Sequence, residues 1–211
     1  MKPYRNSLKK YHQGCGMKFN NNLFGSTPID PNESEGLIPS HITTMEELNR
    51  WEYENILDTE KDVFNRRQNG ILTEEYLKKL HKKMFGRVWK WAGQYRKSNK
   101  NIGVEWYQIA ASVKDLLLDA GTWIQYSSYP PLEIGVRFHH RLVYIHPFPN
   151  GNGRHSRMLT DTIMVHLLKE KRFTWGSRRL EENNEIRASY IKALREADKG
   201  NYEQLLQFVV S

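Results

Sequence analysis

His146-Pro147-Phe148-Pro149-Asn150-Gly151-Asn152-Gly153-Arg154-His155-Ser156-Arg157 sets a turn rich in glycine and asparagine directly before a helical stretch whose apolar positions include Met158, Leu159, Ile163 and Leu167. Glycine permits positive φ and close backbone approach, successive N–H groups of such a turn converge on one point, and the helix N-terminus behind them adds a partial positive charge. The segment reads as an anion site. Arg154 and Arg157 stand three apart on the first helical turn, where two forked guanidinium groups can grip further phosphates. A polyphosphate suits such a site. His146 closes the preceding helix. A side chain that titrates near neutrality beside phosphate can take the proton from an attacking hydroxyl during phosphoryl or nucleotidyl transfer. A lone histidine at a helix end ordinarily reads as a cap or core residue; the adjacent anion loop reverses that balance.

Outward from this segment the pattern is helical. Thr44 followed by Glu47 is a capping box, and Leu48, Trp51, Asn55, Ile56 and Val63 share a face, which predicts a helix over 44–68. Thr73 with Glu74 and Glu75 starts a second helix with the stripe Leu77, Leu80, Met84 and Phe85, stopped by Gly86. Periodicity returns over 106–126, Pro130-Pro131 opens a helix to about 145, and further helices are expected near 152–169, 180–198 and 201–210. Between them, 88–104 mixes aromatic, β-branched and turn residues closely enough to predict a hairpin. The expected fold class is all-α with one β-hairpin flap near the site. Residues 1–42, rich in Asn, Ser, Pro and Gly, read as an irregular N-terminal arm, and 43–211 as the domain, with its core at 73–198 and the flap at 94–104.

A chain of 211 residues with 38% hydrophobic content buries one core of this size and not two. Its single cysteine, Cys15, excludes an intramolecular disulfide and a cysteine-based metal cluster, and a reducing, cytoplasmic setting is expected. No run of about 18 apolar residues and no apolar leader follows Met1, so no membrane association is expected. The net charge of +8 is spread as short pairs such as Lys82-Lys83, which favours a solvated surface over a nucleic-acid tract. Trp89, Trp91 and Tyr95 among Arg87, Lys90, Arg96 and Lys97 resemble a base-stacking platform, but burial beneath the flap is the stronger reading, and direct nucleic-acid binding is not expected. His139 and His140 are adjacent on a helix and point about 100° apart, so they cannot chelate one ion; one is expected to pack and one to face solvent.

The twelve residues from His146 resemble the motif His-Pro-Phe-x-Asp/Glu-Gly-Asn-Gly-Arg-x-x-Arg of the Fic (filamentation induced by cAMP) domain family at every defined position except Asn150. Trp91-Ala92-Gly93-Gln94-Tyr95-Arg96 and Asn101-Ile102-Gly103 resemble the Fic flap. With Gly36-Leu37-Ile38-Pro39, Arg137 to Val143 and Arg172 to Gly176, the chain is similar to the Fic subfamily called mobile mystery protein B. The resemblance implies a protein adenylyltransferase. His146 would be the base for a Ser, Thr or Tyr hydroxyl of a target protein, which attacks the α-phosphate of ATP and expels pyrophosphate. Gly151, Asn152 and Gly153 would line the phosphate nest; Arg154 and Arg157 would hold the β- and γ-phosphates. The flap, with Lys100, Asn101, Ile102 and Gly103, would hold the target as an added strand. The family's Asp or Glu at the position of Asn150 ligates Mg²⁺, and the neutral amide oxygen here is a weaker ligand for a hard cation.

The family's inhibitory pattern, Ser/Thr-x-x-x-Glu-Gly/Asn, is nowhere complete. Glu54-Asn55 has Arg50 in the Ser/Thr place, Glu35-Gly36 has Pro31, and Glu182-Asn183 has Arg178. Glu54 is carried forward as the candidate to pair with Arg157. A phosphotransferase using the same site, and a nucleotide-binding or interaction module without turnover, remain as alternatives. The subfamily resemblance further implies a companion helix-turn-helix regulator and a link to mobile DNA, in the manner of a toxin and its antitoxin.

Overall fold

The computed structural model describes residues 34–176 and 184–211. Seven α-helices are described. In chain order they are α1 (Met45–Asn65), α2 (Glu74–Phe85), α3 (Ile109–Gln125), α4 (Pro131–Ile145), α5 (Asn152–Ile163), α6 (Asn184–Asp198) and α7 (Glu203–Val210). A 3₁₀ turn, Trp106–Gln108, leads into α3, and a π-helical turn, Met164–Leu168, extends α5. The boundaries have local causes. Thr44 Oγ1 accepts from the Glu47 N–H while Glu47 Oε2 accepts from the Thr44 N–H, the reciprocal cap read from the sequence. Thr73 caps α2 one way only, its Oγ1 accepting from the Tyr76 N–H, Gly86 closes it, and Pro131 opens α4.

α4 is the central element. One side packs with α3, α5 and α2 around Leu77, Phe85, Leu116, Phe138, Leu142 and Phe148. The other meets α7, α6 and the segment before them around Val136, Phe173, Trp175, Tyr190 and Leu205. Because α4 is covered on both sides, the paired histidines behave differently from the expectation that one faces solvent. His139 is fully buried, and His140, also buried, reaches Asp198 Oδ1 at 2.8 Å. Leu37 and Ile42, within the segment expected as an arm, pack into the main core. Residues 1–33, and the start of the helix expected from 180, lie outside the described residues.

The expected hairpin is the main departure. Among the described residues no strand forms over 88–104; the only pairing there is an isolated antiparallel bridge between Leu37 and Trp89. Its polar backbone is satisfied by other parts of the chain. Val88 O accepts from Ile38 N at 2.8 Å, Lys90 N donates to Gly36 O at 2.8 Å, and Arg96 N donates to Pro147 O at 3.0 Å. Trp89 is buried against Trp91, with ring centroids 4.9 Å apart. The aromatic residues that suggested strands serve the core instead.

Arg96 takes over the work of a ladder. Only 2% exposed, it donates from Nε to His146 O at 2.8 Å, from Nη1 to Ser98 O at 2.8 Å and from Nη2 to Val104 O. A planar fork can serve three carbonyls that converge on it, and an ammonium cannot reproduce that geometry. Arg96→Lys is therefore expected to cost about 3 kcal/mol, the scale of buried charge-assisted hydrogen bonds left unmade. Urea unfolding measures this; a loss under about 1 kcal/mol would remove Arg96 as the clamp.

Candidate active site

His146 caps α4 in the left-handed region, with φ 54 and ψ 58. That conformation costs a side-chain-bearing residue roughly 1–2 kcal/mol. Its surroundings hold it there: its N–H bonds Leu142 O at 3.2 Å, its carbonyl accepts from Arg96, and Gly103 lies against its Cβ. Gly103 has φ 97, and a Cβ there would come within 2.6 Å of His146 Cβ, so no larger residue allows this approach. The imidazole is 6% exposed and neither ring nitrogen has a hydrogen-bond partner of normal geometry. Burial first, then the Arg96 and Lys100 cations, lower its pKa to about 4, against a small upward pull from the Val143 carbonyl. Near pH 7 the ring is neutral, with a lone pair available to a proton donor.

The turn after His146 is built from both ends. Asn152 Oδ1 accepts from Phe148 N at 2.8 Å and Asn152 Nδ2 donates to Phe148 O at 2.7 Å. Its side chain therefore clamps the loop, and only its backbone faces the helix end. Phe148, fully buried, stacks on His81 of α2 with centroids 3.7 Å apart. His81 Nδ1 accepts from Gly93 N at 3.0 Å, which leaves Nε2–H to donate to Asn150 O at 3.1 Å. Sequence reading missed His81. Gly151 has φ 76, and a Cβ there would strike the Phe85 ring at 2.6 Å. Its N–H donates to Asn150 Oδ1 at 2.6 Å. The N–H groups of Asn152, Gly153 and Arg154 stand at the open end of α5, where a helix supplies no acceptor, the geometry that favours an anion.

The two arginines of this turn have different settings. Arg154 Nη1 lies 2.7 Å from Glu52 Oε2, and its guanidinium sits 4.9 Å from the Phe85 ring centre. Glu52 Oε1 accepts from Trp89 Nε1 at 2.5 Å. Arg157 lies close enough to Tyr190, Asp161 and His139 for its charge to act on all three. Glu54, the candidate to pair with Arg157, is exposed and pairs with Arg50 at 3.5 Å. Two positions along a helix turn a side chain through about 200°, which is why the buried carboxylate of α1 at this site is Glu52. Glu182-Asn183 lies outside the described residues. Lys100 and Gly103 come close to His146, while Asn101 and Ile102 are exposed beside them. Among the described residues no group of three or more His, Cys, Asp or Glu is placed to hold a metal ion.

The helical arrangement around this loop is that of Fic domains. Two solved structures superpose with TM-scores of 0.65 and 0.62: the N-terminal Fic domain of Bep8 from Bartonella sp. 1-1C, 13% identical, and BepC from Bartonella tribocorum with bound AMPPNP, 16% identical. They cover 87% and 84% of this chain and 96% and 95% of their own. Residues 71–164 match the model of the Fic/DOC family. Proteins called protein adenylyltransferase Fic are similar to it. That of Aedes aegypti is 24% identical over 146 residues, 67% of this chain and 28% of the relative, and that of Nematostella vectensis is 32% identical over 79 residues, 37% and 17%. The chain thus spans under a third of the length of these curated relatives.

Proposed function

We propose that the protein is an adenylyltransferase that moves AMP from ATP to a Ser, Thr or Tyr hydroxyl of a target protein. The observation that carries this reading is the buried, neutral imidazole of His146, one turn of chain from a helix N-terminus with glycines on either side of Asn152. A neutral base beside an anion cradle suits a proton transfer at phosphate. The target hydroxyl gives its proton to His146 while its oxygen forms a bond to the α-phosphorus, and the bond from that phosphorus to the bridging oxygen breaks to release pyrophosphate. The amides of Asn152 to Arg154 and the Arg154 and Arg157 side chains would hold the phosphates, with Arg154 exchanging Glu52 for phosphate oxygen. Lys100 to Gly103 would position the target chain next to His146.

Mg²⁺ fits only as a metal held mainly by substrate. Asn150 offers one amide oxygen, with one lone pair already used by the Gly151 N–H. Mg²⁺ commonly takes one or two protein oxygens and completes its octahedron with phosphates and water. When bound it would neutralise phosphate charge. Asn150→Asp is expected to lower the Mg²⁺ concentration for half-maximal transfer about tenfold, since a carboxylate is the stronger hard-cation ligand. An unchanged metal titration would remove Asn150 as a ligand.

The test of the reaction itself uses ATP labelled at the α-phosphate, with Mg²⁺, alone and with a bacterial lysate. Protein-bound label supports the reading. Label arriving only from the γ-position replaces it with a phosphotransferase. ATP binding without transfer favours the second reading, an interaction module, whose supporting observation is the Glu52 contact that already occupies Arg154. A cytoplasmic setting and a helix-turn-helix companion are part of the same proposal. Among the described residues no helix is long and apolar enough to cross a membrane.

A further inference from the structure

The positive charge of this chain is concentrated. Residues 76–104 hold nine of its 32 lysines and arginines and none of its 24 acidic residues, so the rest of the chain carries 23 cations against 24 acids and is close to neutral. On α2 the helical spacing gathers Lys78, Lys79, Lys82 and Lys83 on the side opposite the buried Leu77, Leu80, Met84 and Phe85. The segment after α2 carries that charge to the candidate base. A Cβ on Gly93 would come within 2.9 Å of Lys82 Cβ, Lys78 Nζ stands 4.1 Å from the centre of the Tyr95 ring, and Arg96 Nε donates to His146 O at 2.8 Å. Three of the carboxylates that border this face are already matched: Glu74 with Lys78 at 2.6 Å, Asp58 with Arg87 at 2.9 Å and Asp62 with Lys83. Glu75 is exposed at the start of α2. Lys82, Lys90 and Lys97 are exposed, and among the described residues no carboxylate lies within ion-pair distance of any of them.

We infer that the exposed side of α2, continued by Lys90 and Lys97, is a docking face for an acidic segment of the target protein, and that it delivers the target's hydroxyl to the flap and His146. The inference rests on the reading of the chain as an adenylyltransferase acting on protein, and it narrows the substrate class to hydroxyls that lie beside acidic runs. Opposite charge steers the encounter of two proteins and fixes their register, and salt weakens both effects. The face suits a protein better than a nucleic acid. Trp89 is buried, Trp91 and Tyr95 are half-buried, and no aromatic side chain of 76–104 stands out to stack on a base. The carboxylates of Glu74, Glu75, Asp58 and Asp62 border the cations, where an even row of phosphates would meet them and a protein surface of mixed charge can match them.

Fluorescence polarisation on the full chain at low salt tests this, with a labelled peptide of alternating glutamate and serine, its glutamine counterpart, and single- and double-stranded DNA oligonucleotides of like charge. The parent protein is expected to prefer the glutamate peptide to the other probes. Lys82→Glu, Lys90→Glu and Lys97→Glu together should weaken that binding about tenfold, the scale of three surface ion pairs lost, and glutamine at the same three positions, which adds no repulsion, about threefold. Lys114→Glu, Lys171→Glu and Lys192→Glu, at exposed positions outside this segment, change the net charge equally and should leave the affinity within about twofold. Transfer of α-label from ATP to lysate proteins should slow in the first set and not in the last. Equal weakening by the two glutamate sets overturns the docking face, as do tighter binding of either DNA and no binding of the glutamate peptide by the parent. Label transfer to lysate proteins that is the same in both sets overturns the link to the target. If the parent labels no protein, the adenylyltransferase reading falls, and with it the target's role, while the peptide comparison separately decides whether this face takes an acidic segment.

Discussion

His146→Asn is expected to lower transfer of α-label from ATP by 10²- to 10⁴-fold, the usual contribution of a positioned general base. Asparagine is chosen because it accepts the left-handed conformation that position 146 requires, so the cap of α4 and its bond to Leu142 should survive. ATP affinity should change little, because the imidazole serves the hydroxyl and the helix end serves the phosphates. The pH profile adds a second readout. A histidine with the ordinary pKa loses half its base form near pH 6.5. With the ring lowered to about 4 by burial and by Arg96 and Lys100, transfer should stay flat from pH 8 to about pH 6. Transfer within threefold of the parent in His146→Asn, or an acid limb centred on pH 6.5 in kcat/KM, which reports the free protein, would count against the assignment.

Much of this fold was legible because its helices obey local rules. The Thr44 and Glu47 reciprocal cap, the Gly86 stop and the Pro131 start are decided within a few residues, and each appears where the pattern puts it. The stretch 88–104 failed for the opposite reason. Its composition suits a strand, but its backbone partners are Gly36, Ile38, Ile145 and Pro147, all distant in sequence, and a single buried arginine replaces the cross-strand bonds. Strand propensity measures fit to a half-buried surface, and a folded loop under a core can offer the same surface.

The candidate site divides along the same line. The glycines and the helix start of the loop announce an anion cradle from local chemistry alone. The side chains that brace it were hidden by distance, though two carried a signal. Glu52 lies on the face of α1 that buries Leu48, Asn55, Thr59 and Val63, and a carboxylate on such a stripe requires a cation or donors. His81 likewise sits within the stripe of Leu77, Leu80, Met84 and Phe85. What could not be read is which groups answer them, Arg154 and Trp89 in one case and Asn150 and Gly93 in the other. Glu54 was the candidate on a motif match, whereas the structure puts the buried carboxylate of this face at Glu52.

Acid is expected to destabilise this protein from about pH 6.5 downwards, and the buried histidines are the reason. His81, His139, His146 and His155 all have lowered pKa values with burial as the first cause, to about 4 for His146 and His155. In the unfolded chain each takes up a proton near pH 6.5, while in the folded chain it does not, so between about pH 6.5 and 4 the unfolded state binds up to four more protons and stability falls as pH falls. Asp161 acts in the other direction: burial raises its pKa to about 6, so the folded state gains one proton there first, and that group becomes less unfavourable as pH drops. The histidines outnumber Asp161, so the net effect is a loss of stability as pH falls, and the urea midpoint should drop between pH 7 and pH 5. His155→Gln removes one of the four protons and keeps a side-chain donor for the Leu77 carbonyl, to which His155 Nε2 now bonds at 3.0 Å. It should reduce the slope by about 1.4 kcal/mol per pH unit. A urea midpoint that is level between pH 7 and pH 5 would mean that the folded and unfolded chains take up protons alike, and would overturn the lowered pKa of these rings, His146 among them.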